Sequence, residues 1–296
     1  MSKVTVFGAG AWGSTMAQVL SDAGNEVLLW GRSESVIAEI TTAHTNVKYL
    51  GNHILPEAII ATTSLDDAFA FSQMYVLAIP AQEIRATLEA WKNRFPSDCT
   101  IVSTLKGIEI NTQMRMTEVI EDVIGVHKIA IITGPNLADE LVLRQPAGAV
   151  AAASSQVLAD QIRELFRTPY YRVYTSTDVM GCELAGAIKS VIALAVGLSI
   201  GMGFGENTQA MLITRGLNEV ARLCAAHGSD PLSAAGLAGM GDLVASCGSP
   251  LSRNRTFGEV IGRTGSMSAA RAQMVKTVEG VASSSAVVEI AHRVGI

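Results

Sequence analysis

Val4-Thr5-Val6-Phe7-Gly8-Ala9-Gly10-Ala11-Trp12-Gly13-Ser14-Thr15-Met16-Ala17-Gln18-Val19-Leu20 is the stretch whose reading decides the fold. Val4 to Phe7 is a short apolar, β-branched run, long enough for a buried strand. It leads into Gly8, Gly10 and Gly13, a G-x-G-x-x-G pattern, and Ser14 to Leu20 reads as a helix. Strand, glycine turn and helix in that order are what a dinucleotide site needs. The first glycine makes the tight turn, the second lets a pyrophosphate approach the backbone, and the third lets helix and strand pack closely. The helix start then offers free N–H groups and a positive dipole end to phosphates. A glycine turn that serves only tight packing is the alternative.

The rest of the chain bounds this reading. Its 296 residues suffice for two domains of ordinary size. With 49% hydrophobic and 17% charged residues, it is a well-buried enzyme-like chain rather than a disordered one. A net charge of −5 gives no basic surface for nucleic acid. Cys99, Cys182, Cys224 and Cys247 are far apart and form no C-x-x-C pair, which argues against a disulfide framework or a zinc site and fits a reducing cytoplasm. No metal motif is evident, and the histidines (His44, His53, His127, His227, His292) read as loop and surface residues. The chain is in its core by Val4, so no signal peptide is expected. The most membrane-like stretch, Val191 to Met202, is short for a span and follows Lys189, and reads as a buried helix.

Strand and helix patterns alternate to about residue 175, as in a parallel sheet covered on both faces. Glu26 to Trp30 is the second strand, with further strands at Ile60–Thr62, Tyr75–Ala78, Thr100–Ser103, Ile129–Thr133, Ala147–Ala152 and Tyr171–Thr175. Ser64 reads as a helix cap, and Pro80 as a first helical residue. From Asp178, a candidate N-cap, alanine-, leucine- and glycine-rich helical runs continue to the C-terminus. The expected division is 1–177 and 178–296, and the lack of a flexible linker implies close packing of the two.

Several polar residues stand out against this frame. Arg32 follows the second strand, where an arginine can pair with a 2′-phosphate; alternatively it is solvated and Glu34 serves the ribose of NAD. Lys106 lies just beyond a strand, and Gly134-Pro135-Asn136 forms a turn after another. Lys189 interrupts an apolar helix. Burial or a second cation lowers such a lysine's pKa toward a useful range, although it can also snorkel to solvent or pair with Glu183. Gly236, Gly239 and Gly241 precede Asp242, in either a turn or a helix-packing contact. Ser252-Arg253-Asn254-Arg255, ahead of a helical pattern from Phe257, reads as an anion pocket or as an ordinary capped helix.

Together these segments resemble the bacterial NAD(P)-dependent glycerol-3-phosphate dehydrogenases. The resemblance runs through Gly8–Gly13 with Trp12, Tyr49-Leu50, Leu55-Pro56 and Ser103–Glu109. It continues through Gly134–Asn136, Glu183–Lys189, Asn207-Thr208, Ile213–Gly216, Gly236–Leu243, Ser252–Arg255 and Val278–Gly280. It implies a Rossmann-type α/β N-terminal domain, an all-α C-terminal domain like that of 6-phosphogluconate dehydrogenase, and reversible reduction of dihydroxyacetone phosphate to sn-glycerol 3-phosphate for phospholipid synthesis.

By the same resemblance, Lys189 is the general acid/base, and Lys106 and Asp242 join it in the catalytic set. Gly134, Asn136, Ser252, Arg253 and Asn254 line the substrate pocket with those three. NAD or NADP would be held by Gly8, Gly10, Ala11, Trp12, Gly13, Arg32, Lys106, Ala138, Arg253, Thr277 and Glu279, and a homodimer is a further expectation. The family ordinarily has asparagine where this chain has Ser190, matches Ser229–Ala235 only loosely, and continues about one helical segment further. A 3-hydroxyacid or ketopantoate dehydrogenase, and an NAD(P) sensor without turnover, are the competing functions.

Overall fold

Val4 and Val6 of the first strand join a core with Met16, Ala17 and Leu20 of the following helix. Phe7, on the other side of that strand, stacks among Trp30, Phe69, Tyr75 and Trp91 at ring-centroid distances of 5.0–5.9 Å. Both faces are therefore covered, as a parallel sheet requires. The computed structural model describes residues 1–274 and 278–296.

Eight strands form one sheet: β1 (Lys3–Phe7), β2 (Glu26–Trp30), β3 (Ile60–Thr62), β4 (Met74–Leu77), β5 (Thr100–Ser103), β6 (Ile129–Thr133), β7 (Ala147–Ala153) and β8 (Tyr171–Ser176). Their order is β3-β2-β1-β4-β5-β6-β7-β8. β1 runs parallel to β2, with Lys3 opposite Glu26 and Phe7 opposite Trp30, and parallel to β4 on its other side. The reversal of order between β1 and β4 is the Rossmann-type switch point, and it lies beside the glycine turn.

Small differences from the sequence reading have local causes. Pro80 is extended (φ −56, ψ 135) and precedes a short 3₁₀ turn, Ala81–Glu83, so the α-helix starts only at Ile84. Ser64 and Asp178 are true N-caps, accepting from the amides of Asp67 at 3.1 Å and Gly181 at 3.0 Å.

The chain divides into two compact units. One is Met1–Leu105, Thr117–Ile132 and Ala138–Thr177; the other is Lys106–Met116, Thr133–Leu137 and Asp178–Ile296. The short segments that follow β5 and lead out of β6 thus belong with the helices. With α1 (Ala11–Asp22) in the sheet unit, the main helices of the second unit are α2 (Val179–Gly201), α3 (Glu206–Ala226), α4 (Asp242–Gly248), α5 (Arg253–Thr264) and α6 (Glu279–Arg293).

Among the described residues α2 alone is long and apolar enough to cross a membrane, but 56% of its most apolar window is buried inside the structure. It is the axis of the helical unit. Its residues Leu184, Ile188, Ile192 and Val196 share a core with Val220, Leu223, Leu243 and Ile290. Against α5 it packs almost backbone to backbone. A Cβ on Gly197 would lie 1.9 Å from the carbonyl oxygen of Arg255, and one on Gly258 would lie 2.1 Å from that of Leu194.

Candidate active site

In the sheet unit the glycines divide the work of the turn. Gly8 has φ +117, and a Cβ there would meet the Ala78 carbonyl oxygen at 2.4 Å. A Cβ on Gly13 would lie 1.7 Å from the Gly8 carbonyl oxygen, so α1 approaches the turn too closely for any side chain. Around Gly10 a Cβ would meet nothing. Gly10 is also the N-cap of α1 and supplies no side-chain cap. An open backbone at an uncapped helix start fits a pyrophosphate, and Ala11, Trp12 and Gly13 form that first turn.

Asn46 braces the turn from outside. Buried, it donates from Nδ2 to the Ala9 carbonyl at 3.0 Å and to Ser14 Oγ at 2.9 Å. Its position 32 residues after Ser14 offered no sequence signal for this role. Arg32 is 82% exposed beyond β2 and lies 3.5 Å from Glu83. Glu34 opens the next helix, and Ala138 opens the single turn Ala138–Leu141.

The helical unit gathers the two lysines. Lys106 Nζ donates to Asp242 Oδ2 at 2.6 Å and to the Gly134 carbonyl at 2.9 Å. Lys189 Nζ donates to Asp242 Oδ1 at 3.1 Å and to Ser246 Oγ at 2.9 Å. Asp242 reaches both from the first turn of α4, after the π-turn Leu237–Gly241. Pro135 packs beside Gly241, and Asn136 lies in the same Thr133–Leu137 segment. Ser246 went unnoticed in the sequence. Its spacing of four from Asp242, one helical turn, is the signal that finds it. Glu183 does not pair with Lys189: its carboxylate takes Arg115 at 2.6 Å.

Charge and burial work against each other here. Burial pushes the Lys106 ammonium down to about 8, with Asp242 opposing that shift and Lys189 adding to it. Burial alone would raise the Asp242 carboxyl, but the two lysines outweigh it and hold the group below the ordinary carboxylate value. The nearby Cys247 thiol is pushed by burial up to about 12, which keeps it a protonated packing group.

A second group forms where two helices begin. Ser252 caps α5, accepting from the Arg255 amide. The helix starts at Arg253 rather than near Phe257, because polar residues fill its first turn and hide the apolar period there. Asn254 Oδ1 accepts from the Gly280 amide at 2.9 Å, joining the start of α5 to that of α6, where Glu279 is the first residue. Gly280 in turn fits against the carbonyl of Ser190, next to Lys189, where a Cβ would come within 2.4 Å. Thr277 lies outside the described residues. His53 bonds Gln18, His127 bonds Glu121, and His227 bonds the Leu223 carbonyl.

Two family models cover this architecture: the NAD-dependent glycerol-3-phosphate dehydrogenase N-terminus over residues 3–159 and the corresponding C-terminus over 178–296. The chain belongs to the NAD-dependent glycerol-3-phosphate dehydrogenase family. Relatives of that family named glycerol-3-phosphate dehydrogenase [NAD(P)+] include one from Thermobifida fusca, 48% identical across 100% of this chain and 89% of its own. Another is from Corynebacterium diphtheriae, 48% identical across 99% and 90%. The crystal structure of the glycerol-3-phosphate dehydrogenase from Coxiella burnetii superposes with a TM-score of 0.94 at 30% identity, over 100% of this chain and 90% of that one.

Proposed function

We propose that this glycerol-3-phosphate dehydrogenase family member reduces dihydroxyacetone phosphate reversibly to sn-glycerol 3-phosphate with NADPH or NADH, using Lys189 as general acid/base. The observation that carries the reading is one buried carboxylate, Asp242, bound to both Lys106 and Lys189. When bound, the nicotinamide supplies or accepts the hydride. The chain's own residues then have to manage charge at the substrate oxygen.

Lys189 is suited to that task. Its Nζ is held by Asp242 and Ser246, so its protons are aimed rather than free to rotate. An ammonium so fixed stabilises negative charge developing on the carbonyl oxygen and then protonates it. With two lysines on one carboxylate the cluster carries a net positive charge, which favours an anionic substrate.

Ser252, Arg253 and Asn254 at the start of α5 are the phosphate grip in this reading. The twelve-residue helix directs its positive end there, and Arg253 adds a cation. A phosphate held away from the carbonyl converts binding energy into orientation of the reacting group. Gly8 to Gly13 hold the pyrophosphate, Ala138 and Glu279 are further cofactor contacts, and Arg32 accepts the 2′-phosphate of NADP. The product is the glycerol phosphate that acyl transfer into glycerophospholipids consumes. The four buried cysteines form no disulfide, which suits a reducing cytoplasm.

The test is oxidation of NADPH and NADH by purified protein. Oxidation that begins only when dihydroxyacetone phosphate is added is expected. Folded protein that binds cofactor yet gives no turnover contradicts the assignment.

A further inference from the structure

The geometry points to Arg115 and Glu183 as a positioning pair that holds the Lys106-bearing segment on α2 and so sets the spacing of Lys106 and Lys189 on Asp242. This rests on the proposed reaction for its kinetic consequences, but its structural core does not.

Lys106 opens a closed excursion of the chain, Lys106–Met116. Ile108 and Arg115 face each other across an antiparallel bridge. The Glu109 amide donates to the Met114 carbonyl, and the Gln113 amide to the Glu109 carbonyl, each at 2.9 Å. Gln113 holds a left-handed φ of +58 at the tip. Beyond the bond of Lys106 to Asp242, further contacts fasten the excursion to the helical unit. Ile108 is fully buried in that unit's core. Gln113 accepts from Arg293 near the end of α6. Arg115 Nη1 donates to Glu183 Oε2 at 2.6 Å, with side chains only 14% and 5% exposed.

The last of these contacts falls on the helix that carries Lys189. Glu183 precedes Lys189 by six residues, about 9 Å along the axis at 1.5 Å per residue. Ile108, across the bridge from Arg115, follows Lys106 by two residues. The pair therefore ties together the two backbone segments that deliver the lysines.

That tie has a force to oppose. The groups facing Lys106 are Asp242, the like-charged Lys189 and the Gly134 carbonyl. One carboxylate cannot neutralise two ammonium groups, so repulsion favours outward movement of the Lys106 segment into water. A buried ion pair is also poor value as a stabiliser, since well-packed apolar residues often replace one at no loss. Its use here is geometric, because a displacement of about 1 Å at a reacting group can cost 10²-fold in rate.

The decisive variant is the apolar double substitution Arg115→Met with Glu183→Leu, compared with wild type by thermal unfolding, kcat, KM for both substrates and amine labelling of Lys106 across pH. Labelling follows the neutral amine and needs no turnover, so it decides the inference even if the proposed reaction fails. The expected result is an unchanged unfolding midpoint, with kcat lowered about 10- to 100-fold. The Lys106 labelling midpoint should rise from about 8 toward the ordinary lysine value of ~10.4, as the released ammonium regains water. A folded double variant with wild-type kcat and labelling midpoint overturns the proposal.

If the double variant does not fold, Glu183→Gln decides. Loss of a negative charge alone lowers the midpoint of a neighbouring lysine, whereas release of the segment raises it. A rise supports the pair's positioning role, and an unchanged or lowered midpoint contradicts it.

Discussion

Lys106 and Lys189 are bound to opposite oxygens of the same carboxylate, at 2.6 Å and 3.1 Å from Asp242. Two cations that would repel each other are thus held in one small volume. Asp242, 4% exposed at its side chain, is the carboxylate that makes this possible. The cluster's behaviour follows from that arrangement.

Replacing Asp242 by Asn should cost both stability and rate. Breaking a buried ion pair by removing one partner costs about 3–5 kcal/mol, since it leaves uncompensated charge behind. Denaturant unfolding of Asp242→Asn should show a loss of that order, with a lower kcat in the folded fraction. The sign with pH is also set. The lysines hold the Asp242 carboxyl below its unfolded value, so its contribution is present above ~3.9 and is lost as pH falls through the folded value.

Substrate binding should weaken on the alkaline side. Lys106 loses its proton around pH 8, so the positive charge offered to an anionic substrate falls as pH rises through that value. KM for dihydroxyacetone phosphate should climb above pH 8. The lysine's linkage to folding has the opposite sense. The unfolded chain keeps this proton up to ~10.4, so stability from this group increases with pH between about 8 and that value.

The glycine turn separates folding from binding. Gly13→Ala would place a methyl 1.7 Å from the Gly8 carbonyl oxygen, whereas Gly10→Ala meets no protein atom within 4 Å. Gly13→Ala should therefore lower the unfolding midpoint and cofactor affinity together. Gly10→Ala should keep the midpoint and weaken NADPH about tenfold or more, a loss of ~1.4 kcal/mol, measurable by calorimetry.

How far the sequence reaches is clear from the same residues. Gly8, Gly10 and Gly13 could be read directly because steric demands on a turn are local. The strands were equally legible, since buried parallel strands are continuous apolar runs. Asp178 and Ser64 announced helix starts through their own short side chains. Contacts across long loops left no such trace: Arg115 finds Glu183 from 68 residues away. The start of α5 was hidden for another reason, because Arg253, Asn254 and Arg255 interrupt the apolar period where the helix begins.

Packing of α2 on α5 gives a further prediction. A Cβ on Gly197 would lie 1.9 Å from the Arg255 carbonyl oxygen, and backbone cannot swing aside as a side chain can. Gly197→Ala should destabilise the protein by at least the 1–3 kcal/mol typical of overpacking, about as read from denaturant midpoints. Forcing α5 away from α2 should also raise KM for dihydroxyacetone phosphate, since Ser252, Arg253 and Asn254 stand at the start of α5.

The central claim is that Lys189 handles the proton at the substrate oxygen. Its most direct test compares wild type with Lys189→Ala in dihydroxyacetone phosphate-dependent oxidation of NADPH, alongside NADPH binding by fluorescence. The account predicts a kcat lower by about 10²- to 10⁴-fold with Kd for NADPH essentially unchanged. A Lys189→Ala enzyme that turns over within a few-fold of wild type would contradict it.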